Sequence, residues 1–153
     1  MPRINFSICT PEREVYSDEV DQITLPTTEG EITILPNHLP LVCGLKPGEA
    51  RVVRDGSETI MAVSTGFVVV KPGSRTMVLA DTAERAEELE LEKIEQAKKK
   101  AEELLEQKRD LDEVAFADAA AALERELARL KVARKKYRRT PLDIKSKSGN
   151  VGE

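Results

Sequence analysis

Few side chains in this 153-residue sequence could carry out covalent chemistry. His38 is the only histidine, and neither an elbow serine nor a cluster of metal-binding carboxylates accompanies it, so no catalytic triad or histidine-pair metal site is predicted. The two cysteines, Cys9 and Cys43, lack metal-ligand spacing and lie in apolar runs, which favours two buried thiols in a reducing compartment. The sequence contains no glycine-rich phosphate-binding motif. We therefore expect a protein that is not an enzyme and holds no metal or cofactor.

Basic residues near the end of the chain are the remaining candidates for binding. Arg125 and Arg129 lie one turn apart on a predicted helix, and Lys136 continues that face. The pattern fits either a solvated helix face or a patch for acidic side chains or for nucleotide phosphates, which arginine recognises well. The run from Arg134 to Arg139 could bind nucleic acid by charge, but it contains one aromatic residue and belongs to an acidic chain.

Charge is distributed unevenly along the chain. Residues 1–112 contain 14 Lys/Arg and 22 Asp/Glu, whereas residues 113–153 contain 10 and 6, so a net charge of −8 is followed by +4. This asymmetry favours an acidic partner for the last segment. No apolar stretch reaches the roughly 18 residues that a membrane span needs. The N-terminal residues resemble neither a signal peptide nor a transit peptide, so secretion and organelle import are not expected.

The first half of the chain has the pattern of short strands. From residue 3 to about 81, polar and apolar residues alternate between turn formers such as Asp55-Gly56 and Pro72-Gly73-Ser74. Seven or more such strands without intervening helices predict an antiparallel β-sandwich or flattened barrel. Pro36 and Pro40 fix an exposed corner, and a corner with so little conformational freedom is suited to docking.

After Asp81 the pattern changes to that of helices. Asp81-Thr82 predicts a helix start, and residues 82–132 contain neither Gly nor Pro. Two apolar stripes separated by a polar break at 108–112 predict an antiparallel helical hairpin. The stripes consist of Leu91, Ile94, Ala97, Ala101 and Leu104, then Phe116, Ala120, Leu123, Leu127, Leu130 and Tyr137. Because they are thin and rich in alanine, the hairpin should be marginally stable and able to detach.

Three segments are therefore predicted, and together they form an α+β protein. Residues 1–82 form the β-sandwich, and residues 83–139 form the helical hairpin. Residues 140–153 are polar and rich in Gly, Ser and Lys, which predicts a disordered tail.

Two stretches resemble the epsilon subunit of bacterial and chloroplast F-type ATP synthases. They are LPTTEGEITILPNHLPLVCGLKPGEARV, which begins at Leu25, and VLADTAERAEEL, which begins at Val78. The resemblance covers roughly residues 3–137 and implies a β-sandwich followed by a two-helix domain. It also implies a non-catalytic rotor-stalk subunit that couples proton translocation to ATP synthesis. The implied location is peripheral, on the cytoplasmic face of the bacterial inner membrane or, alternatively, on the stromal face of the thylakoid membrane.

The resemblance further implies partners and site residues. The sandwich would bind the gamma subunit and the c-subunit ring through loops at one end, and the matching positions are Glu29, Gly30, Glu31, His38 and Pro40. The hairpin would extend along gamma, meet an acidic stretch of the catalytic beta subunits within the alpha/beta assembly, and inhibit ATP hydrolysis. The matching basic face consists of Arg125, Arg129, Arg134 and Lys136.

Some bacterial members of this family bind ATP at the folded hairpin through the motif Ile/Leu-Asp-x-x-Arg-Ala. The matching positions, Leu89 to Ile94, read Leu-Glu-Leu-Glu-Lys-Ile. Lysine cannot reproduce a bidentate guanidinium contact, and Ile94 adds bulk where alanine leaves room. We therefore expect ATP to be at most a weak regulatory ligand. The residues of this degenerate ATP site are Glu84, Leu89, Glu90, Lys93, Lys100, Arg125 and Arg129.

Two alternatives to the stalk subunit remain open. One is a free-standing adaptor in which a β-sandwich carries a helical hairpin whose basic end binds nucleic acid. The other is an ATP-sensing binding module with the same fold. If the chain is a stalk subunit, we expect no nucleic-acid partner and only an indirect association with the membrane.

Overall fold

The computed structural model describes residues 2–107 and 112–148, with side chains as far as residue 135. The described part contains ten strands, one short 3₁₀ helix and two α-helices. The strands are β1 (Ile4–Cys9), β2 (Glu14–Val20), β3 (Gln22–Thr27), β4 (Gly30–Ile34), β5 (Leu41–Leu45), β6 (Gly48–Arg54), β7 (Ser57–Val63), β8 (Gly66–Lys71), β9 (Arg75–Ala80) and β10 (Ala83–Arg85). The 3₁₀ helix spans Ala86–Glu88, and the α-helices are α1 (Leu91–Glu106) and α2 (Glu113–Ser148).

The ten strands form one sheet that packs on itself as a sandwich. Their order is β10-β7-β6-β3-β5-β8-β9-β1-β2, with β4 paired to β3. Neighbouring strands are antiparallel except β1 and β9, which run parallel. The inward side chains form the larger core, whose fully buried members include Phe6, Ile23, Leu25, Met61 and Val68. The predicted fold, a β-sandwich followed by a helical hairpin, is confirmed.

The predicted hairpin turns are present, and each uses residues with positive φ. Asp55 and Gly56 have φ values of 49° and 77° and join β6 to β7. Gly73 and Ser74 reverse the chain between β8 and β9. Gly66 has a different role, because a Cβ there would lie 1.9 Å from the carbonyl oxygen of Leu79. Only glycine lets β8 begin at this distance from β9.

The predicted helix start at Asp81-Thr82 is wrong, because the chain remains in the sheet there. The Thr82 amide donates to the Ser64 hydroxyl oxygen at 2.8 Å, and the Asp81 amide donates to the Thr65 carbonyl at 2.9 Å. Residues 83–85 then pair with β7 as β10. These sheet partners satisfy the amides that a helix start would leave free, so the sandwich extends past residue 82 and α1 begins only at Leu91.

The hairpin packs differently from the predicted pair of stripes. Leu104 and Leu127, expected in the seam, are 46% and 44% exposed, whereas Ala119 and Ala128 are buried. The reason is that α2 packs against the sandwich as well as against α1, so its buried side is not defined by the interhelix seam alone. Asp112 caps α2 by accepting a hydrogen bond from the Ala115 amide at 2.6 Å.

Two further expectations are only partly matched. Cys9 and Cys43 are free thiols, but they are half-buried rather than buried. Cys9 is the last residue of β1, and Cys43 packs against the larger core without being fully covered. Helix α2 continues to Ser148, so the segment from residue 140 begins as helix rather than as a disordered tail. The helix continues although Pro141 lies within it, a residue that disfavours a helix interior. Residues 149–153 of the predicted tail, and 108–111 of the predicted break, lie outside the described residues.

Candidate functional site

The largest exposed apolar side chains of the sandwich share one outer face. Phe67 in β8 pairs directly with Leu79 in β9 and with Gly44 in β5, so these positions project to the same side. Val42 lies two residues before Gly44 and projects the same way. Val42, Phe67 and Leu79 are 69%, 60% and 45% exposed. We call these three residues the outer apolar face.

The Pro36–Pro40 corner lies next to this face. It leads directly into β5, and its Leu39 is 79% exposed. The Asn37 amide donates to the Ser74 hydroxyl at 2.8 Å, which fixes the corner to the turn between β8 and β9. His38 is half-buried, and its Nδ1 donates to the Leu39 carbonyl at 2.7 Å. The imidazole is thus part of the corner's own structure.

The predicted interface residues fall into two groups, one at each end of β4. Glu29 is exposed in the turn before β4, Gly30 and Glu31 are exposed as the first two residues of β4, and His38 and Pro40 follow β4. Three strand residues, 32–34, lie between Glu31 and the corner, which is about 10 Å at 3.3 Å per residue. The resemblance assigned both groups to loops at one end of the sandwich. The structure instead provides two surfaces, an acidic turn and an apolar corner.

A second apolar cluster joins the hairpin to the sandwich. Ile60 and Ala62 of β7 pack in one cluster with Leu130, Val132 and Ala133 of α2, and the last two are 0% and 1% exposed. Sequence reasoning missed this contact, because it assigned the apolar side of α2 to α1 alone. Ile60, Ala62, Val132 and Ala133 form the docking contact of the hairpin.

Ion pairs flank the docking contact on one side. One terminal nitrogen of the Arg129 guanidinium in α2 donates to Glu84 of β10. The other terminal nitrogen donates to Glu126 at 2.6 Å. Burial opposes the charge of Arg129, but the hydrogen bonds and charges of Glu84 and Glu126 outweigh it and raise the pKa of the guanidinium. Glu126 is only 4% exposed, so the pair is desolvated while the hairpin is docked.

A second set of ion pairs lies on the other side of α2. Lys135 donates to Glu49 of β6 at 2.7 Å, and Glu49 is 8% exposed. Arg51 lies 3.6 Å from Glu49 and donates to Glu31 at 3.0 Å. Sequence reasoning missed Glu49 and Lys135, because nothing in their local pattern indicates that β6 and α2 meet.

The predicted basic face is divided between two surfaces when the hairpin is docked. Arg129 faces β10, and Arg125 lies 3.6 Å from Glu126. Arg134 is exposed and lines a different cleft, together with Lys131 and Lys135. The Lys136 side chain lies outside the described residues. Arg134 follows Arg125 by nine residues, or about two and a half turns of α2, so the two lie on opposite sides of the helix whether or not α2 is docked.

The structure brings together part of the degenerate ATP site in a cleft of about 370 Å³. Glu84, Leu89, Glu90, Lys93 and Arg129 line it, whereas Lys100 and Arg125 do not. Lys93 already pairs with Glu90 at 3.1 Å, as Arg129 does with Glu84. The lining also includes two carboxylates that the sequence did not single out, Glu88 and Glu126. With four carboxylates around two paired cations, the cleft disfavours a nucleotide's phosphates.

Weak or absent ATP binding at this cleft is the expected result. Isothermal titration of the isolated chain with ATP should show no binding of micromolar affinity, because the cations are paired and Lys93 cannot form a bidentate contact. The matched gain-of-binding variant is Glu90→Asp/Lys93→Arg/Ile94→Ala, which restores the motif. A micromolar dissociation constant for the wild-type chain, lost on Lys93→Gln, would contradict the expectation.

Comparison with known proteins decides the family. A model of the family described as ATP synthase, Delta/Epsilon chain, beta-sandwich domain matches residues 3–86, which includes β10 and agrees with the extended sandwich. The ATP synthase epsilon chain of Dehalococcoides mccartyi is 43% identical over 136 residues, which are 89% of this chain and 96% of that one. The chain belongs to the ATP synthase epsilon-chain family. The resemblance noted in the sequence is thus confirmed.

Other epsilon chains and a solved structure agree with this assignment. The epsilon chain of Herpetosiphon aurantiacus is 42% identical over 131 residues, covering 86% of this chain and 94% of that one. A chain in the cryo-EM structure of the Euglena gracilis mitochondrial ATP synthase (OSCP, F1 and c-ring) superposes with a TM-score of 0.72 at 25% identity. The match covers 87% of this chain and 82% of the Euglena chain.

An epsilon chain is a subunit of a membrane-associated complex. In the described part of the chain, no helix is both long enough and apolar enough to cross a membrane. Across residues 2–107 and 112–148, no group of three or more His, Cys, Asp or Glu side chains is arranged to hold a metal ion. Burial, with the nearby charge of Glu29, raises the pKa of the Cys43 thiol, which makes it a poor nucleophile at neutral pH.

Proposed function

We propose that this epsilon chain is a non-catalytic subunit of the rotor's central stalk, attached by its sandwich and regulated through its hairpin. The observation that carries the attachment is the outer apolar face, with Val42 and Phe67 each at least 60% exposed. A contiguous apolar surface on a subunit of a larger complex fits a protein interface. The gamma subunit is the proposed partner of this face and of the adjoining Pro36–Pro40 corner.

The turn that carries Glu29, Gly30 and Glu31 is proposed to face the c-subunit ring. It lies at the other end of β4 from the corner, so the two proposed contacts use different surfaces. The Euglena chain that resembles this one belongs to an assembly of OSCP, F1 and c-ring, which supports a stalk position next to the ring. In this position the subunit would contribute to coupling proton translocation to ATP synthesis, on the cytoplasmic face of the bacterial inner membrane.

The hairpin is proposed to inhibit ATP hydrolysis after it leaves the sandwich. Its docking contact uses small residues, since Ala62, Val132 and Ala133 supply little buried area per side chain. Undocking would free Arg129 and Lys135 from Glu84 and Glu49, and would thereby restore a basic helix for an acidic stretch of the beta subunits. The +4 charge of residues 113–153 supports such a partner.

Co-purification tests the proposed attachment. A tagged chain, expressed in its own host and recovered from membranes solubilised in mild detergent, should bring down gamma, c, alpha and beta subunits in fixed proportion. Recovery without gamma and c subunits, together with retention on DNA at physiological salt, would contradict the proposal and support the adaptor.

A further inference from the structure

A basic cleft lies between the sandwich and α2. It has a volume of about 490 Å³, and its cations come from both domains, Lys46 and Arg51 from the sandwich and Lys131 and Lys135 from α2. Two carboxylates, Glu31 and Glu49, also line it. The size falls in the range of small-molecule sites.

The two carboxylates of this cleft are already neutralised by two of its cations. Arg51 donates to Glu31 at 3.0 Å, and Lys135 donates to Glu49 at 2.7 Å. The side chains of Lys46 and Lys131 form no ion pair with any described residue. The cleft therefore has two uncompensated positive charges in a protein whose net charge is −4.

A neighbouring cleft of about 310 Å³ extends this positive surface along α2. It shares Lys131 and Lys135 with the first and adds Lys98 and Arg134, and none of its described lining residues is acidic. Lys98 lies 3.7 Å from Glu102, whereas Arg134 has no described acidic partner. The two clefts adjoin at Lys131 and Lys135 and together form one groove, in which Lys46, Lys131 and Arg134 have no acidic partner among the described residues. Like charges that share a groove repel one another.

We propose that this groove is a binding site for a diphosphate group. Lysine acts as a point charge for phosphate, and arginine offers a fork of donors, so two lysines and one arginine suit an anion with two phosphates. A diphosphate is small enough for the first cleft, where its charge would compensate Lys46 and Lys131 and attract Arg134 of the adjoining cleft. Because Lys46 belongs to the sandwich and Lys131 and Arg134 belong to α2, the bound anion would hold the hairpin in its docked position.

The site differs from the degenerate ATP cleft, and its lining includes Gly30 and Glu31 of the turn proposed to face the c-subunit ring. Its first cleft has four cations and two carboxylates, and both carboxylates are paired, whereas the ATP cleft has four carboxylates and two cations. Its lysines are exposed to solvent, so we expect a dissociation constant on the order of 1 mM, which weakens further as salt rises.

Titration of the full chain with inorganic pyrophosphate tests the proposal. At constant ionic strength, amide chemical shifts of Lys46, Gly48 and Lys131 should move saturably, and the thermal midpoint should rise because the ligand binds the docked state. The variant Lys46→Gln/Lys131→Gln should weaken binding about tenfold or more. The matched variant Lys93→Gln/Lys100→Gln, which removes two exposed lysines from the other candidate site, should bind as the wild type does.

Three results would overturn the proposal. The first is the absence of saturable shifts, and the second is an equal response to sodium chloride at the same ionic strength. The third is loss of binding in the Lys93/Lys100 variant instead of the Lys46/Lys131 variant. All four exchanged lysines are exposed, so circular dichroism should show the same secondary structure in both variants.

Two further binding measurements distinguish a free nucleotide from a lipid headgroup as the molecule that carries the diphosphate. Tighter binding of ADP than of pyrophosphate, lost in Lys46→Gln/Lys131→Gln, would support the site and assign it to free nucleotides. Co-sedimentation with vesicles that contain diacylglycerol pyrophosphate, a lipid whose headgroup is a diphosphate, lost in the same variant, would support the site and assign it to a lipid headgroup. Either response retained in that variant would count against the site.

Discussion

The variant Val42→Asp/Phe67→Asp is expected to abolish incorporation of this chain into the complex. The two side chains are 69% and 60% exposed in the free chain, so aspartate at either position should leave folding unchanged. If the gamma subunit covers this face, two unpaired carboxylates would be desolvated on binding. The expected cost is about 4 kcal/mol, a thousandfold increase in the dissociation constant.

The matched control places the same charge on an exposed leucine elsewhere. Leu104 of α1 is 46% exposed and lies away from the sandwich face, so Leu104→Asp should bind as the wild type does. Binding to purified gamma subunit can be measured by biolayer interferometry, with circular dichroism to confirm folding. Unchanged affinity in the double variant would mean that gamma does not dock on the outer apolar face.

Undocking the hairpin and removing it are expected to have opposite effects on ATP hydrolysis. Ala133 is 1% exposed in the docking contact, and Ala133→Asp would bury an unpaired carboxylate beside Ile60. A penalty of about 3 kcal/mol would shift the ratio of docked to undocked hairpin about a hundredfold. If the undocked hairpin is the inhibitor, this variant should hydrolyse ATP more slowly, whereas truncation after Asp110 should raise hydrolysis severalfold.

Opposite changes in the rate of ATP hydrolysis would distinguish regulation by the hairpin from a simple loss of stability, which would change both rates in the same direction. Truncation uncovers Ile60 and Ala62, so the content of epsilon chain in each complex must be measured beside the rate. Ala121→Asp adds the same charge at an exposed position of α2 and should leave hydrolysis unchanged. Equal rates for the Ala133→Asp and truncated complexes would show that the hairpin is not the inhibitory element.

The sandwich could be predicted from the sequence because its signals are local. A two-residue type I′ turn requires positive φ at both central positions, and Asp55-Gly56 adopts these values readily. The pair therefore identifies a hairpin wherever the two strands lie in the sheet. The outer apolar face also had a signal that was overlooked. The unbroken run Phe67–Val70 in β8 is typical of a strand covered on both sides, and one side of β8 is uncovered in this chain.

The contacts between sandwich and hairpin could not be predicted in this way. Glu49 and Lys135 are 86 positions apart, and neither has a local pattern that distinguishes it from a solvated charge. The strand β10 replaced a predicted helix start because Ser64 and Thr65 bond the backbone of the Asp81-Thr82 segment. Such partners are brought together only by the folded sheet, so local propensity gives no information about them.

The position of α2 in the assembled complex tests whether the hairpin inhibits ATP hydrolysis by leaving the sandwich. Electron cryomicroscopy of the wild-type complex, during hydrolysis and after inhibition, would show whether Val132 and Ala133 remain against Ile60 and Ala62. We expect a docked α2 in complexes that hydrolyse ATP, and an α2 that has left β7 for the catalytic subunits in inhibited complexes. An α2 that remains docked on β7 in both states would contradict it.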